Sequence, residues 1–310
     1  MNHKIIISGA TGFVGKNLVP FLENKNWSVT PLSRKREQNN TSLNYENLTV
    51  DDFNAAYAFI HLAGKAHDLK KTSLDDEYYE VNTELTKSLF DLFLQSDSKV
   101  FIYFSSVKAV ADEVKGTLKE DHPYEPGTVY GKSKALAEQY LLSKTIPSDK
   151  KLYILRPCMI HGPGNKGNLN LLYKVVSKGI PYPLASFDNK RSFVSVTTIT
   201  EVIENLLTRL PNSDVFNMAD DYSISTNELI KVMAIAIDKK PKLISINSTF
   251  IKWMASVGTL LRLPFNKERL QKLTESYEVS NKKMKTVLKI DTPFDTKYGL
   301  TTTIQSFKTI

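Results

Sequence analysis

The chain has 310 residues and a mass of 35.0 kDa, enough for two units of roughly 150 residues or one large sheet with an appended part, and too much for a minimal binding module. With 41% hydrophobic and 24% charged residues and a mean hydropathy of −0.26, it has globular composition, which excludes disordered and fibrous chains. The formal charge of +8 fits an anionic ligand or a nucleic-acid surface without choosing between them, and a single cysteine, Cys158, excludes an internal disulfide and a multi-cysteine metal site.

At the amino end only a few apolar-rich positions follow Lys4 before Gly9, short of the apolar core of a signal peptide, so a cytoplasmic location is expected. Residues 4–8, 28–32, 58–62, 99–105 and 152–155 are short apolar runs that predict buried strands. Between most of them, 12–23, 75–95 and 129–142 carry apolar residues at helical spacing. That alternation predicts an α/β fold with a doubly wound parallel sheet of Rossmann type. A weak strand is expected near 48–50, with a vestigial crossover helix in 51–57. After Arg156-Pro157, a stretch rich in glycine and proline marks a smaller mixed α/β region. The apolar segment 250–263, broken by Lys252, Gly258 and Arg262, is below the roughly 20 residues of a membrane span and is expected to be a packing helix, so no membrane insertion is expected.

Three glycines, Gly9, Gly12 and Gly15, stand at a three-residue repeat between the first strand and the first helix. The spacing lets the strand turn tightly, the backbone approach a pyrophosphate, and the helix lie close on the sheet with its free N–H groups toward the phosphates. At the end of the second strand, where an acid would accept from a ribose hydroxyl, stand Ser33 and Arg34, followed by Lys35 and Arg36. A hydroxyl and cations there favour NADP(H) over NAD(H).

Tyr130 lies four residues before Lys134 in a helical segment, so both side chains share one face, and an ammonium there would lower the phenol's pKa for proton transfer. Ser105 and Ser106 end a strand at the carboxyl edge, where open α/β sheets bind ligands. The basic clusters 34–36 and 282–285 lack interleaved aromatics and read as solvated faces, so nucleic acid is not an expected partner. His3, His61, His67, His122 and His161 show no metal-ligand spacing and are expected to pack or to lie at the surface, with no metal site.

These motifs, with His61-Leu62-Ala63-Gly64, Val81-Asn82, Leu155-Arg156-Pro157 and Gly162-Pro163-Gly164, resemble the extended short-chain dehydrogenase/reductases, in particular the NAD(P)-dependent nucleotide-sugar epimerase/dehydratase group, nearly end to end. The resemblance implies Tyr130 as acid/base, Lys134 on the nicotinamide ribose, and Ser106 orienting the reacting oxygen. It implies cofactor contacts from Gly9, Gly12, Phe13, Val14, Gly15, Ser33, Arg34, Leu62, Ala63, Gly64, Asn82, Tyr130, Lys134 and Pro157, with Asp52 toward adenine and Cys158 as a wall. Lys108, Asn168, Leu184 and Arg191 would bind the substrate, Asn168 being equally suited to a helix N-cap.

Residues 1–160 with 193–218 would form the dinucleotide-binding domain, and 161–192 with 219–310 the nucleotide-sugar region. Segments 75–95 and 129–142 would pair two copies as a homodimer. Val107-Lys108 replaces the Asp-Glu pair that 4,6-dehydration uses, so dehydratase activity is not expected. Thr197-Thr198 stands where many relatives carry acids. The expected reaction is at C4 of a nucleoside-diphosphate sugar, UDP foremost. Reduction of a 4-keto sugar ranks first because NADP(H) is favoured, 4-epimerisation with a recycled cofactor second, and non-catalytic NADP(H) sensing third.

Overall fold

The structure is a computed structural model that describes residues 3–34, 43–66, 74–165, 167–261, 263 and 265–309. Lys35, Arg36, His67 and Arg262 lie outside the described residues, as does the side chain of Asn168.

The first part of the chain runs β1 (Lys4–Ser8), α1 (Phe13–Asn24), β2 (Ser28–Ser33), β3 (Leu43–Asn44), α2 (Val50–Asn54) and β4 (Ala58–His61). Then come α3 (Asp75–Tyr79), a π-helical turn (Glu80–Glu84), α4 (Leu85–Gln95), β5 (Val100–Phe104), β6 (Thr117–Leu118), α5 (Val129–Ser143) and β7 (Lys151–Pro157). Next follow β8 (Met159–His161), α6 (Asn168–Ser177), β9 (Phe193–Ser195), α7 (Val196–Arg209) and β10 (Asp214–Met218). The chain closes with α8 (Thr226–Ala236), α9 (Ser248–Leu260), α10 (Lys267–Thr274), β11 (Glu278–Val279), α11 (Lys282–Leu288) and α12 (Thr296–Ser306).

Among the described residues, seven strands form one parallel sheet in the order β10-β7-β5-β4-β1-β2-β3. The chain leaves β1 toward β2 and β3, then returns to place β4 on β1's other side. That reversal opens a crevice beyond the carboxyl ends of β1 and β4, where such sheets bind ligands. Alternate side chains of the buried strands feed two cores, as a period of two requires. Ile5, Ile7, Ile60 and Ile102 pack with Leu18 and Leu22 of α1 and Ile199, Ile203 and Leu206 of α7. Ile6, Phe59, Phe101 and Tyr103 pack with Phe90 and Phe93 of α4 and Leu141 of α5. Phe101 is fully buried between Phe59, Phe90 and Phe93, so its truncation to alanine costs about 3–5 kcal/mol.

The strand expected near 48–50 is a correction. The third strand is Leu43–Asn44, paired with Leu32 and Ser33, while 48–50 leads into α2. Thr49 precedes that helix as its N-cap, because the Asp52 carboxylate accepts the Thr49 N–H at 2.8 Å and its hydroxyl at 3.0 Å. The helix expected over 75–95 is interrupted by the π-helical turn, whose buried Asn82 and Thr83 face α5.

Candidate functional site

The glycine repeat does at atomic scale what its spacing demands. Gly9 has φ +72°, and a Cβ there would lie 2.7 Å from the Ala63 nitrogen, so only glycine lets β1 turn beside the end of β4. A Cβ on Gly15 would sit 2.6 Å from the Ala10 Cα, so this position fixes how closely α1 lies on the loop. Gly12 occupies the N-cap of α1 with no side chain to bond the first amides, and the first turn carries no acid. The helix therefore presents free N–H groups and its positive end to an anion. This cradle fits a dinucleotide pyrophosphate.

Below the cradle runs a chain of hydrogen bonds with one direction. The Ala63 N–H donates to Ser8 Oγ (3.3 Å), Ser8 lies 2.6 Å from His61 Nδ1, His61 Nε2 lies 3.0 Å from Thr86 Oγ1, and Thr86 donates to the Asn82 carbonyl (2.8 Å). Since Thr86 spends its proton on Asn82, His61 donates from Nε2 and accepts from Ser8 at Nδ1. Burial, with Lys134's charge, pulls the His61 pKa to about 3, so the ring is neutral. Asn82 meanwhile accepts the Lys65 N–H (2.7 Å) and donates to the Lys65 carbonyl and to Ser133 Oγ, both at 3.0 Å. It thus pins the segment after β4 to α5.

At the carboxyl end of β5, the two serines part company. Ser105 donates to the Glu138 carboxylate, while Ser106 shares a hydrogen bond with the Tyr130 phenol and accepts the Lys108 N–H at 3.2 Å. Lys134, buried on the same helical face as Tyr130, donates to the Phe104 carbonyl at 2.8 Å and lies 4.8 Å from the centre of the Tyr103 ring. A cavity of about 180 Å³ is bounded by Val14, Leu62, Gly64, Ser106, Tyr130 and Lys134 together with Pro157 and Cys158. Catalytic residues expected from separate motifs therefore line one recess.

The electrostatics differ from expectation in one respect. Burial pushes the Tyr130 phenol up, and the opposing influence is the Ser106 hydrogen bond rather than an ammonium. Lys134 itself is pulled down to about 7 by burial, with Glu138 holding it up. Its ammonium is turned toward the Phe104 carbonyl, so the expected lowering of the phenol by Lys134 is not part of this arrangement.

Residues 5–219 match the NAD dependent epimerase/dehydratase family. The chain belongs to that family. It is 35% identical to the UDP-glucose 4-epimerase of Vibrio cholerae over 77% of each chain. It is 29% identical to the N-acetyl-alpha-D-glucosaminyl-diphospho-ditrans,octacis-undecaprenol 4-epimerase of Escherichia coli O157:H7, over 77% of this chain and 74% of that one. The fold matches that of MoeE5 in complex with UDP-glucose and NAD, with a TM-score of 0.75 at 19% identity over 99% of both chains. The protein is an enzyme of this NAD dependent family.

Other residues singled out in the sequence fall in three places within this epimerase/dehydratase fold. Ser33 ends β2 beside β1, and exposed Arg34 follows it. The Asp52 carboxylate caps α2 through Oδ2, which takes both the Thr49 N–H and the Thr49 hydroxyl. Burial pushes the Cys158 thiol well up, which suits a wall rather than a nucleophile.

On the substrate side, α6 starts at Asn168 with Gly167, not Asn168, in the cap position. Lys108 donates to the Asp112 carbonyl at 2.7 Å and lies 4.4 Å from the centre of the Tyr277 ring. Arg191 donates to the Lys272 and Glu275 carbonyls and approaches Glu275 Oε1 at 3.6 Å. Lys108 feels the charge of Arg191, so the two cations share a neighbourhood. Leu184 lies in an apolar cluster with Ile251, Ala255 and Leu270.

Sequence reasoning missed two groups. Tyr45 hydrogen-bonds Ser8 and the Gly9 backbone, with burial raising its phenol, and its signal would have been an aromatic directly after the third strand. Glu138 forms a buried ion pair with Arg156, Nη2 to Oε2 at 2.6 Å, joined by the Tyr124 hydroxyl at 2.7 Å. An acid one turn beyond Lys134 was its signal.

Proposed function

We propose that this enzyme inverts C4 of a hexose held through a diphosphate, using a dinucleotide regenerated in each turnover. The observation that carries the reading is the convergence of Ser106, Tyr130 and Lys134 on one cavity beside the glycine cradle. A dinucleotide held by the Gly9–Gly15 cradle and Lys134 would supply reversible hydride exchange at the carbinol carbon. Tyr130 moves the proton at the C4 oxygen, its hydrogen-bond partner Ser106 orients that oxygen, and buried Lys134 would hold the ribose side of the cofactor. The two 4-epimerases at 35% and 29% identity weigh for inversion over the reduction that the sequence placed first.

Net reduction of a 4-keto sugar is the second reading, favoured by Arg34 at the end of β2, where it would meet a 2′-phosphate. In this scheme residues 1–160 with 193–218 hold the cofactor, and 161–192 with 219–310 hold the sugar's carrier, although Met284 and Leu288 of α11 pack into the sheet's core. The outer face of α5, where Leu136 and Leu142 are exposed, would join two copies together with α4.

Incubation with UDP-glucose or UDP-N-acetylglucosamine and no added reductant tests the first reading by formation of the 4-epimer. NADPH consumption with a UDP-4-keto-6-deoxy sugar tests the second. A Tyr130→Phe enzyme that keeps full turnover in both assays refutes the shared chemistry.

A further inference from the structure

Beyond the crevice lies a second, larger cavity of about 810 Å³. The two lie on either side of β8: Cys158 and Ile160 face the Tyr130 recess, and Met159 faces the large cavity. Its walls come from α6, the strand-like segment around Tyr182–Leu184, and the helices α8, α9 and α10. Leu172, Val175, Leu184, Phe193, Ile251 and Phe265 are typical of a lining that is almost wholly apolar. The polar groups on it are already engaged: Ser225 caps α8 by accepting the Glu228 N–H, and the Tyr182 hydroxyl is hydrogen-bonded to Thr226. The backbone of the wall is engaged as well, since the Tyr182 N–H donates to the Lys242 carbonyl and the Ala185 N–H to the Ile244 carbonyl. A nucleobase in this cavity would exchange hydrated edges for unpaired ones, whereas a hydrocarbon would lose nothing. The cations that border it, Arg191 and Lys272, are held by the Lys272 and Glu275 carbonyls and by Glu268, and would turn from these partners to meet the diphosphate end of such a ligand.

The cavity's rim continues onto the surface. Leu171 (61% exposed), Trp253 (60%) and Leu260 (82%) stand with Phe250, Met254 and Leu273 on the outer sides of α6, α9 and α10. Helix α9 buries Ile251, Ala255 and Gly258 and turns a second apolar stripe outward, with Phe250 stacked on Trp253 at 5.9 Å. The charge around this stripe is one-sided. The segments 168–184 and 238–275, which supply α6, α9 and α10, carry ten Lys or Arg against three acids, Asp238, Glu268 and Glu275. These segments therefore carry most of the chain's net charge. Apolar side chains ringed by cations are the pattern of a surface that rests on anionic lipid. Among the described residues no helix is long and apolar enough to cross a membrane, so the contact is with the bilayer face.

Resting on the proposed C4 chemistry, we infer that the sugar is presented on a polyisoprenyl diphosphate at an anionic membrane surface, with the first isoprene units in the 810 Å³ cavity and α9 seated at the lipid boundary. The diphosphate would lie near Arg191, between the hydrocarbon and the sugar, which reaches past β8 to Tyr130. The reaction is otherwise unchanged, and the carrier's bonds are untouched.

The test has two arms. In the first, the full chain is given the same N-acetylhexosamine on UDP and on a short, water-soluble farnesyl diphosphate, and 4-epimer formation is followed. The expected result is a kcat/KM at least about tenfold higher for the farnesyl carrier. In the second, the protein is sedimented with phosphatidylcholine vesicles with and without phosphatidylglycerol. Binding is expected to need the anionic lipid, to weaken in high salt, and to fall about tenfold in the double variant Phe250→Ser/Trp253→Ser, whose thermal midpoint shows that it folds.

Preference for the UDP carrier overturns the inference and leaves C4 inversion standing. Turnover of neither carrier overturns both readings. Vesicle binding that is indifferent to the double variant, or a stripe shown by light scattering to be covered by a second copy, overturns the membrane contact.

Discussion

Glu138→Gln probes a buried charge pair and its tie to the site. Glu138 and Arg156 have side chains 0% and 3% exposed, and Arg156 Nε lies 3.1 and 3.0 Å from the two carboxylate oxygens while Nη2 lies 2.6 Å from Oε2. Glutamine keeps the shape but removes the charge, leaving the guanidinium with the Glu120 carbonyl at 3.2 Å and the Tyr124 hydroxyl at 2.8 Å. A buried charge stripped of its partner costs about 3–5 kcal/mol, whereas exchanging both partners for apolar groups is often close to neutral. The expected results are a loss of about 3–5 kcal/mol for Glu138→Gln by urea unfolding and recovery of most of it in Glu138→Leu/Arg156→Met. Glu138 is also the group that opposes the burial of Lys134, so the single variant lowers the Lys134 pKa further below about 7. In the turnover profile, the limb that reports Lys134 then moves to lower pH. A single-variant cost under about 1 kcal/mol, or a double variant no better than the single, would refute the argument that this pair is a desolvated unit.

Four further outcomes follow from the geometry. The His61 pKa is about 3 in the fold against an ordinary value of 6.5, so the unfolded chain binds the extra proton between them; stability therefore falls as pH drops from about 6.5 toward 3, by up to about 1.4 kcal/mol per pH unit, and His61→Asn unfolded in urea at several pH values should show a shallower slope. Lys134 is likewise lowered, to about 7 from 10.5, so stability rises with pH above about 7; urea midpoints measured at pH 7 and pH 9 should converge in Lys134→Met. Tyr130→Phe should lower kcat by about 10²–10⁴-fold with an unchanged melting temperature, since the phenol acts on a proton and holds up no packing. Gly15→Ala forces a Cβ to within 2.6 Å of the Ala10 Cα and should cost about 1–3 kcal/mol together with a weaker dinucleotide Kd by titration calorimetry; wild-type affinity would show that the loop yields freely.

Much of this was legible along the chain because the informative interactions are local or repeat with a fixed period. The buried strands announced themselves as apolar runs, the cradle as glycines three apart, and the Tyr130–Lys134 pair as a helical interval. What could not be read depended on partners distant in sequence. The two-residue β3 exists because Leu32 and Ser33 offer an open edge to Leu43 and Asn44, and so brief a strand carries no periodicity of its own. Leu184 and Arg191 were found near each other, but the character of their surroundings is set by 243–273 folding over them, and the emptiness between those segments is written in neither. The +8 charge was assigned to phosphates as a whole number, although most of it belongs to the segments that supply α6, α9 and α10.

The π-helical turn has a consequence of its own. Five residues, Glu80–Glu84, hold the wider winding between two ordinary α-helical stretches, and Asn82 and Thr83 within it reach Lys65 and Ser133. Such a turn amounts to one surplus residue lodged in a helix. Removing any single residue there would let the spiral close to its regular pitch and swing everything on its amino side by about 100°, α3 included. Asn82 could not then keep hold of both the post-β4 segment and α5, although every core side chain of α4 would stay where it is. The architecture thus stores the alignment of its reaction centre in one countable unit of chain length, separable from the forces that keep the sheet and its helices together.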